Sequence, residues 1–235
     1  MQNVTDHTSS TADDRYSELM ANYAAGLLSP HARALVGAHL QLRPERRHTV
    51  FAFEAVGAAI LADEETADIE DRDGMLSRIF AEEVGPNGNG HVNGRHANGG
   101  HMNGEGGTAQ FLPSPLDRLV GMRFDDIPWR TRFGGMREYE LETEDGSEAK
   151  LLWIKAGQSI PVHTHDGTEV TLVLKGSFED TDGTYRAGDI AVADDTVDHK
   201  PVVSAEEDCI CFAVMDAPVR LTGPIGRLLS PFMRR

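Results

Sequence analysis

The chain has 235 residues, 40% of them hydrophobic, enough for one large domain or two small ones with buried cores, and this argues against a disordered protein. Its 22 basic against 38 acidic residues leave a formal charge of −16, which argues against direct nucleic-acid binding and favours a basic partner, such as a DNA-binding protein. The two cysteines, Cys209 and Cys211, stand two residues apart, so a disulfide framework is excluded: a bridge that short would strain a strand.

Free thiols suit a reducing compartment. No basic segment followed by an apolar one opens the sequence, and no run approaches about 18 apolar residues. The expectation is a soluble, cytoplasmic protein with no membrane contact.

The chain begins with a helical pattern. Tyr16, Leu19, Met20, Tyr23, Ala24 and Leu27 recur at intervals of three and four, drawing one apolar stripe. Ser29-Pro30 then supplies an N-cap and the residue best tolerated at the first helical position. The second stripe is Ala32, Leu35, Val36, His39 and Leu40. A third helix is predicted from about Glu45 to Leu61, with Val50, Phe53, Gly57 and Ile60 facing inward. Seven of the 11 residues from Asp63 to Asp73 are acidic, which reads as a solvated connection. A fourth short helix carries Met75, Leu76, Ile79 and Phe80. Helices spanning about 70 residues build a thin core, so this part is expected to lean on a partner.

A compositional break follows. From Gly85 to Gly107, 14 of 23 residues are Gly or Asn, too few of them apolar to offset the entropy of ordering, so the stretch reads as a flexible tether. Its His91, His96 and His101 raise the thought of weak metal capture, but expansion of an asparagine-glycine linker explains them more simply.

Beyond the tether the period changes to two. Ala149–Lys155, Glu169–Lys175 and Cys209–Val214 read as strands, separated by turns at Glu144-Asp145-Gly146, Asp182-Gly183 and Ala187-Gly188-Asp189. Many short strands at regular spacing predict a sandwich or barrel. Trp153, Phe212 and Met215 are assigned to its core.

The segment richest in chemistry is Gly157-Gln-Ser-Ile-Pro-Val-His163-Thr-His165-Asp-Gly-Thr-Glu169, continuing to Gly176. His163 and His165 alternate, so on a strand both imidazoles share one face. Glu169 follows a short Asp-Gly turn and can bring an oxygen to the same point. His199 is the remaining histidine of this half and the candidate fourth ligand. Three imidazoles and a carboxylate suit zinc, iron(II), manganese or nickel, and ligand type does not choose among them. Cys209 and Cys211 could approach the site as redox-active or metal-exchanging thiols; the preferred reading is small buried hydrophobes.

These spacings resemble the first cupin motif at each defining position, and Gly188 to His199 resembles the second, with Asp194 or Asp195 where proline is common. The resemblance implies a cupin jelly-roll β-barrel over residues 111–229, binding one divalent metal ion through His163, His165, Glu169 and His199, zinc placed first.

A second resemblance covers both halves. Tyr23-Ala-Ala-Gly26-Leu-Leu-Ser29, His39-Leu40, Glu54-Ala-Val-Gly57 and Leu76 to Phe80 are similar to the helical domain of the zinc-binding ChrR family of anti-sigma factors. The paired cysteines after His199, and Leu221-Thr222-Gly223 through Arg227-Leu228-Leu229, resemble it too. The implied architecture is α+β and multidomain: a helical anti-sigma-like bundle at 14–84, a linker at 85–107 and a cupin at 111–229. One departure matters. Where the family's helical domain holds zinc through an early histidine and a His-x3-Cys-x2-Cys motif, this chain reads Asp14, His39, Arg43 and Arg46. Arginine cannot ligate zinc, so no zinc is expected there. His39 is then expected to be a satisfied core residue, and Asp14 to pair with Arg43 or Arg46.

The function that the resemblance implies is a cytoplasmic anti-sigma factor. Its helices sequester an extracytoplasmic-function sigma factor, and its cupin senses an oxidant or a small-molecule ligand through the metal site. No catalytic residue is named. The alternative is a metal-dependent cupin enzyme of the dioxygenase kind; metal storage by the linker histidines rests on composition alone. Cupins frequently dimerise through their sheets, so the resemblance also allows a homodimer.

Overall fold

The computed structural model describes residues 11–65, 67–81, 111–217 and 219–222. The tether at 85–107, with His91, His96 and His101, and the closing segment 223–229 lie outside the described residues. The chain divides into two compact units, Met1–Ala58 with Gln110–Arg235, and Ala59–Ala109.

In the first unit, helix α1 (Ala12–Ala24) starts at a capping box. The Thr11 hydroxyl oxygen accepts the Asp14 N–H at 3.2 Å, while the Asp14 carboxylate accepts the Thr11 N–H at 3.1 Å and its hydroxyl at 2.8 Å. Asp14 is thereby committed to its own helix. The expected pairing with Arg43 or Arg46 does not form: Arg43 meets Asp189 at 3.0 Å, and Arg46 lies over the Tyr16 ring. Gly26, at φ +73°, turns the chain out of α1, and Leu27 is exposed rather than part of the buried stripe.

Helix α2 (Pro30–Leu42) begins as expected, with the Ser29 hydroxyl oxygen accepting the Ala32 N–H. Ala32, Leu35, Val36, His39 and Leu40 are all buried along it. His39 is satisfied on both sides. The Tyr16 hydroxyl donates to its Nε2 at 2.8 Å, and its Nδ1–H donates to the Gly188 carbonyl at 2.7 Å. Pro44 restricts Arg43 and ends the helix. Helix α3 (Arg47–Ala62) buries Val50 and half-buries Phe53, but Gly57 and Ile60 are exposed, contrary to expectation.

In the second unit, helix α4 (Arg72–Ala81) forms where predicted, yet Met75, Leu76, Ile79 and Phe80 all face solvent. Helix α4 therefore carries an apolar stripe that the described residues leave exposed.

The rest of the first unit opens with a short helix that the periodicity does not announce, α5 (Ser114–Val120), which buries Leu116 and Val120. Eleven described strands follow: β1 (Arg130–Thr131), β2 (Arg137–Leu141), β3 (Glu148–Ile154), β4 (His163–His165), β5 (Glu169–Lys175), β6 (Ser177–Glu179), β7 (Thr184–Arg186), β8 (Ile190–Ala193), β9 (Val202–Val203), β10 (Cys209–Met215) and β11 (Val219–Leu221). They form a six-stranded antiparallel sheet in the order β1-β2-β3-β10-β5-β8, a three-stranded sheet β7-β6-β9 and a pair β11-β4. Among the described residues these sheets stay separate. The expected cupin jelly roll is built from these three sheets, without one closed ring of hydrogen bonds among the described residues.

The six-stranded sheet is apolar on both faces, and the period-two alternation divides them. One face presents Leu151, Val170, Leu172, Val192, Phe212 and Val214, which pack in one core with Leu19, Met20, Leu35 and Val36 of α1 and α2. The other presents Ile154, Val173, Ala191, Cys209 and Cys211 to Phe178 and Val203 of the three-stranded sheet. Strand β10 is buried at every residue, because it lies between β3 and β5 with a layer on each side. Met215 and Phe212 thus sit in the core as assigned. Trp153 is only partly buried, against Phe124 and Trp129, with its indole N–H donating to Asp208 at 2.8 Å. Helices α1 and α2 therefore find their partner surface within the chain, on the sheet. Truncating a buried side chain of this shared core, such as Leu35, costs about 2–5 kcal/mol.

Candidate metal centre

The alternation that places His163 and His165 on one face is realised in β4, which pairs with β11 through His163–Leu221 and His165–Val219. The Asp166-Gly167 turn then returns the chain into β5 at Glu169. Glycine suits this turn because a Cβ at Gly167 would stand 3.1 Å from the Ala217 Cβ. His199 arrives from a loop whose backbone pairs with β4: His163 N–H to His199 O and His199 N–H to His163 O are both 3.0 Å. The structure brings all four sequence-predicted residues together.

Their ligand atoms lie within 4.8 Å of one another, with the three histidines buried and Glu169 mostly so. His165 Nε2 is 2.8 Å from Glu169 Oε2 and 3.2 Å from His199 Nε2, and His199 Nε2 is 3.8 Å from Glu169 Oε2. Two donors about 2.0–2.1 Å from one tetrahedral ion stand about 3.3 Å apart, so the spacing fits. Outer partners also aim the rings. His163 Nδ1–H donates to the Pro161 carbonyl at 2.7 Å and His199 Nδ1–H to Asp180 Oδ2 at 3.2 Å, which turns both Nε2 atoms toward the cluster. The His165 Nδ1 is buried without a hydrogen-bond partner among the described residues.

The electrostatics favour a neutral His163 beside an ionised Glu169, the protonation states that metal binding needs at both. Burial, helped by the neighbouring His199 and His165, pulls the His163 pKa down to about 4, against the opposing pull of Glu169. At Glu169 burial works against ionisation, but the His165 hydrogen bond and the three imidazoles outweigh it and hold its pKa below the ordinary value.

Below the ordinary histidine pKa of 6.5 the unfolded chain takes up a proton at His163 that the folded chain refuses until about pH 4. Stability contributed here is present above 6.5 and lost as pH falls toward 4. We expect the unfolding free energy of metal-free protein to decline across that window, and His163→Gln to flatten the decline. Denaturant titrations at stepped pH check it; an equal decline in the variant would remove His163 as its source.

A small cavity of about 40 Å³ adjoins the cluster, walled by Leu152, Ile154, Phe178, Val203 and Cys211 beside His163, Glu169 and His199. Cys209 and Cys211 are buried and free, with sulfurs 3.5 Å apart. The hydrogen bond with Cys209, then burial and the charge of Glu169, push the Cys211 pKa well up, so it is a protonated thiol on the cavity wall. Asp180 is the residue that sequence reasoning missed. Its Asp-x-Asp-Gly context was legible only as a turn.

A family model described as the ChrR cupin-like domain matches residues 117–218. The anti-sigma-E factor ChrR of Cereibacter sphaeroides is 38% identical over 216 residues, which are 92% of this chain and 95% of that protein. The crystal structure of Rhodobacter sphaeroides SigE in complex with the anti-sigma ChrR overlaps with a TM-score of 0.67 at 35% identity, covering 85% of this chain and 96% of that one.

Proposed function

We infer, from the premise that the chain belongs to the ChrR family of anti-sigma factors, that it sequesters an extracytoplasmic-function sigma factor and releases it in response to a chemical signal read by its cupin-like domain. The observation that carries this is the similarity to an anti-sigma-E factor across 92% of the chain, helices and sheets alike. A fold alone would not carry it, because cupin folds host unrelated activities. Family membership favours the regulator over the metal-dependent cupin enzyme that the histidine motif by itself allows.

Two properties of this chain support the reading. Helix α3 exposes Phe51 and Val56 in the first unit, and α4 exposes Ile79 and Phe80 in the second; large exposed apolar side chains on each support a partner-binding role. The charge of −16 attracts a partner with basic DNA-binding surfaces and repels nucleic acid itself. Partner binding is assigned to residues 14–84 and sensing to 111–229, joined through 85–107, and both act in the cytoplasm. No helix among the described residues is long and apolar enough to cross a membrane.

In the sensing half, His163, His165, Glu169 and His199 would hold one divalent ion. Zinc is the first assignment, and iron(II), manganese or nickel suit the same donors. Bound there, the ion would cross-link β4, β5 and the loop that carries His199. Anything that removes or re-ligates it can release a partner only through a difference in partner affinity between the two states.

The test is affinity purification of the intact chain from its own cells without chelator, with mass spectrometry of what accompanies it. One sigma factor at near-stoichiometric yield is the expected result. An abundant bait that returns no sigma factor would sink the reading.

A further inference from the structure

Behind His199 lies a turn with two acidic ends. Between β6 and β7, one oxygen of Asp180, Oδ1, accepts the backbone N–H groups of Asp182 at 2.9 Å and Gly183 at 3.2 Å. The carboxylate thus locks its own turn. Its other oxygen, Oδ2, accepts the Nδ1–H of His199 at 3.2 Å, and the Asp180 side chain is only 5% exposed. Two residues on, Asp182 forms an ion pair with Arg15 of α1. Arg15 is itself buried, with side-chain exposure of 4%, and its Nε donates to the Val192 carbonyl of β8 at 2.8 Å. One rigid turn therefore holds the ring of a candidate ligand at one end and a buried cation of the first helix at the other.

We propose that the Asp180–Gly183 turn couples ion binding at His199 to the docking of α1 on the six-stranded sheet, with Asp180 as the positioning residue of the centre. The inference rests on the reading of the four residues as a metal centre. A hydrogen-bonded carboxylate fixes the orientation and raises the basicity of a ligating imidazole, so an ion on Nε2 draws Asp180 and its turn into the observed position. That position presents Asp182 to Arg15. Moving it would break the Asp182–Arg15 ion pair that ties α1 to the turn. Undocking α1 would uncover Leu19 and Met20 together with the sheet residues they pack against. Loss of the ion would thus loosen a helix of the partner-binding half, and by linkage loss of the helix contact would loosen the ion by the same factor.

The experiment uses the full chain with zinc as the probe: zinc affinity by chelator competition, and hydrogen exchange of α1 with and without zinc. In the wild type, zinc should slow exchange across residues 15–24 by about 10-fold, a coupling of ordinary size for linked sites. Asp180→Asn should lower zinc affinity about 10–100-fold and abolish the zinc effect on α1. Asp182→Asn should keep the fold, checked by thermal melting with Arg15→Lys beside it, lower zinc affinity by the factor seen in wild-type exchange, and also abolish the effect. Zinc that binds the wild type tightly while leaving α1 exchange unchanged overturns the coupling alone. So does an Asp182→Asn protein whose α1 still responds. A wild type that binds no zinc overturns the metal centre and the coupling with it.

Discussion

Replacing His165 with alanine is expected to abolish retention of a divalent ion by the purified protein. His165 is the most enclosed of the four candidate ligands, and its Nε2 lies 2.8 Å from Glu169 Oε2 and 3.2 Å from His199 Nε2. Removing the hydrogen-bond partner of a ligand costs about 10–100-fold in affinity, so removing the ligand itself should cost at least about 100-fold. Glu169→Gln should weaken binding too while keeping the shape of the site, since it deletes the one anionic group among the four candidate ligands. Metal content after exhaustive dialysis, and the shift in melting temperature on adding zinc, report the outcome. An ion that binds the folded state alone stabilises it in proportion to RT ln(1 + [L]/Kd), so a variant without the site should lose both signals together. One ion per chain retained by His165→Ala would place the metal elsewhere.

The legible part of this site was the part written locally. His163 and His165 share a face because a strand repeats every two residues, and Glu169 sits one tight turn away. His199 was reachable as the remaining histidine of this half and through its spacing from Gly188, not through local periodicity. Asp180, Arg15 and Asp182 were not legible. Arg15 lies 165 and 167 positions from the two aspartates, and no periodicity joins them. Helix existence was likewise local, from the Ser29-Pro30 start to the stripe on α2. The error at Gly57, Ile60 and the α4 apolar residues has a physical cause: periodicity reports that a helix has an apolar face, but not which molecule covers it. Asp14 was misread for the opposite reason. A long-range ion pair was expected where Thr11 and Asp14, three residues apart, had a capping box within reach. The arginines expected to meet Asp14 turned instead to Asp189 and to the Tyr16 ring.

The uncovered faces give the second large expected effect. Phe51→Asp on α3 and Phe80→Asp on α4 should each weaken binding of the sigma factor by about 30-fold or more, the loss that follows when an aromatic hot spot worth about 2 kcal/mol is removed. Phe51 is 63% exposed and Phe80 82%, so neither substitution opens a cavity in the chain's own core. Their effect on its unfolding free energy should therefore stay within about 0.5 kcal/mol. Leu35→Ala supplies the contrast. It lies in the core shared by α2 and the sheet and should cost about 2–5 kcal/mol of stability. Equilibrium binding to the co-purified sigma factor, with denaturant titration of each variant alone, separates the two quantities. If Phe51→Asp and Phe80→Asp bind as the wild type does, α3 and α4 are not the gripping surface. If they bind poorly but have also lost several kcal/mol of stability, those faces cover this chain itself rather than a partner. Weak binding at unchanged stability would show that the apolar stripes on α3 and α4, unmatched by any buried core of their own, are completed by another protein.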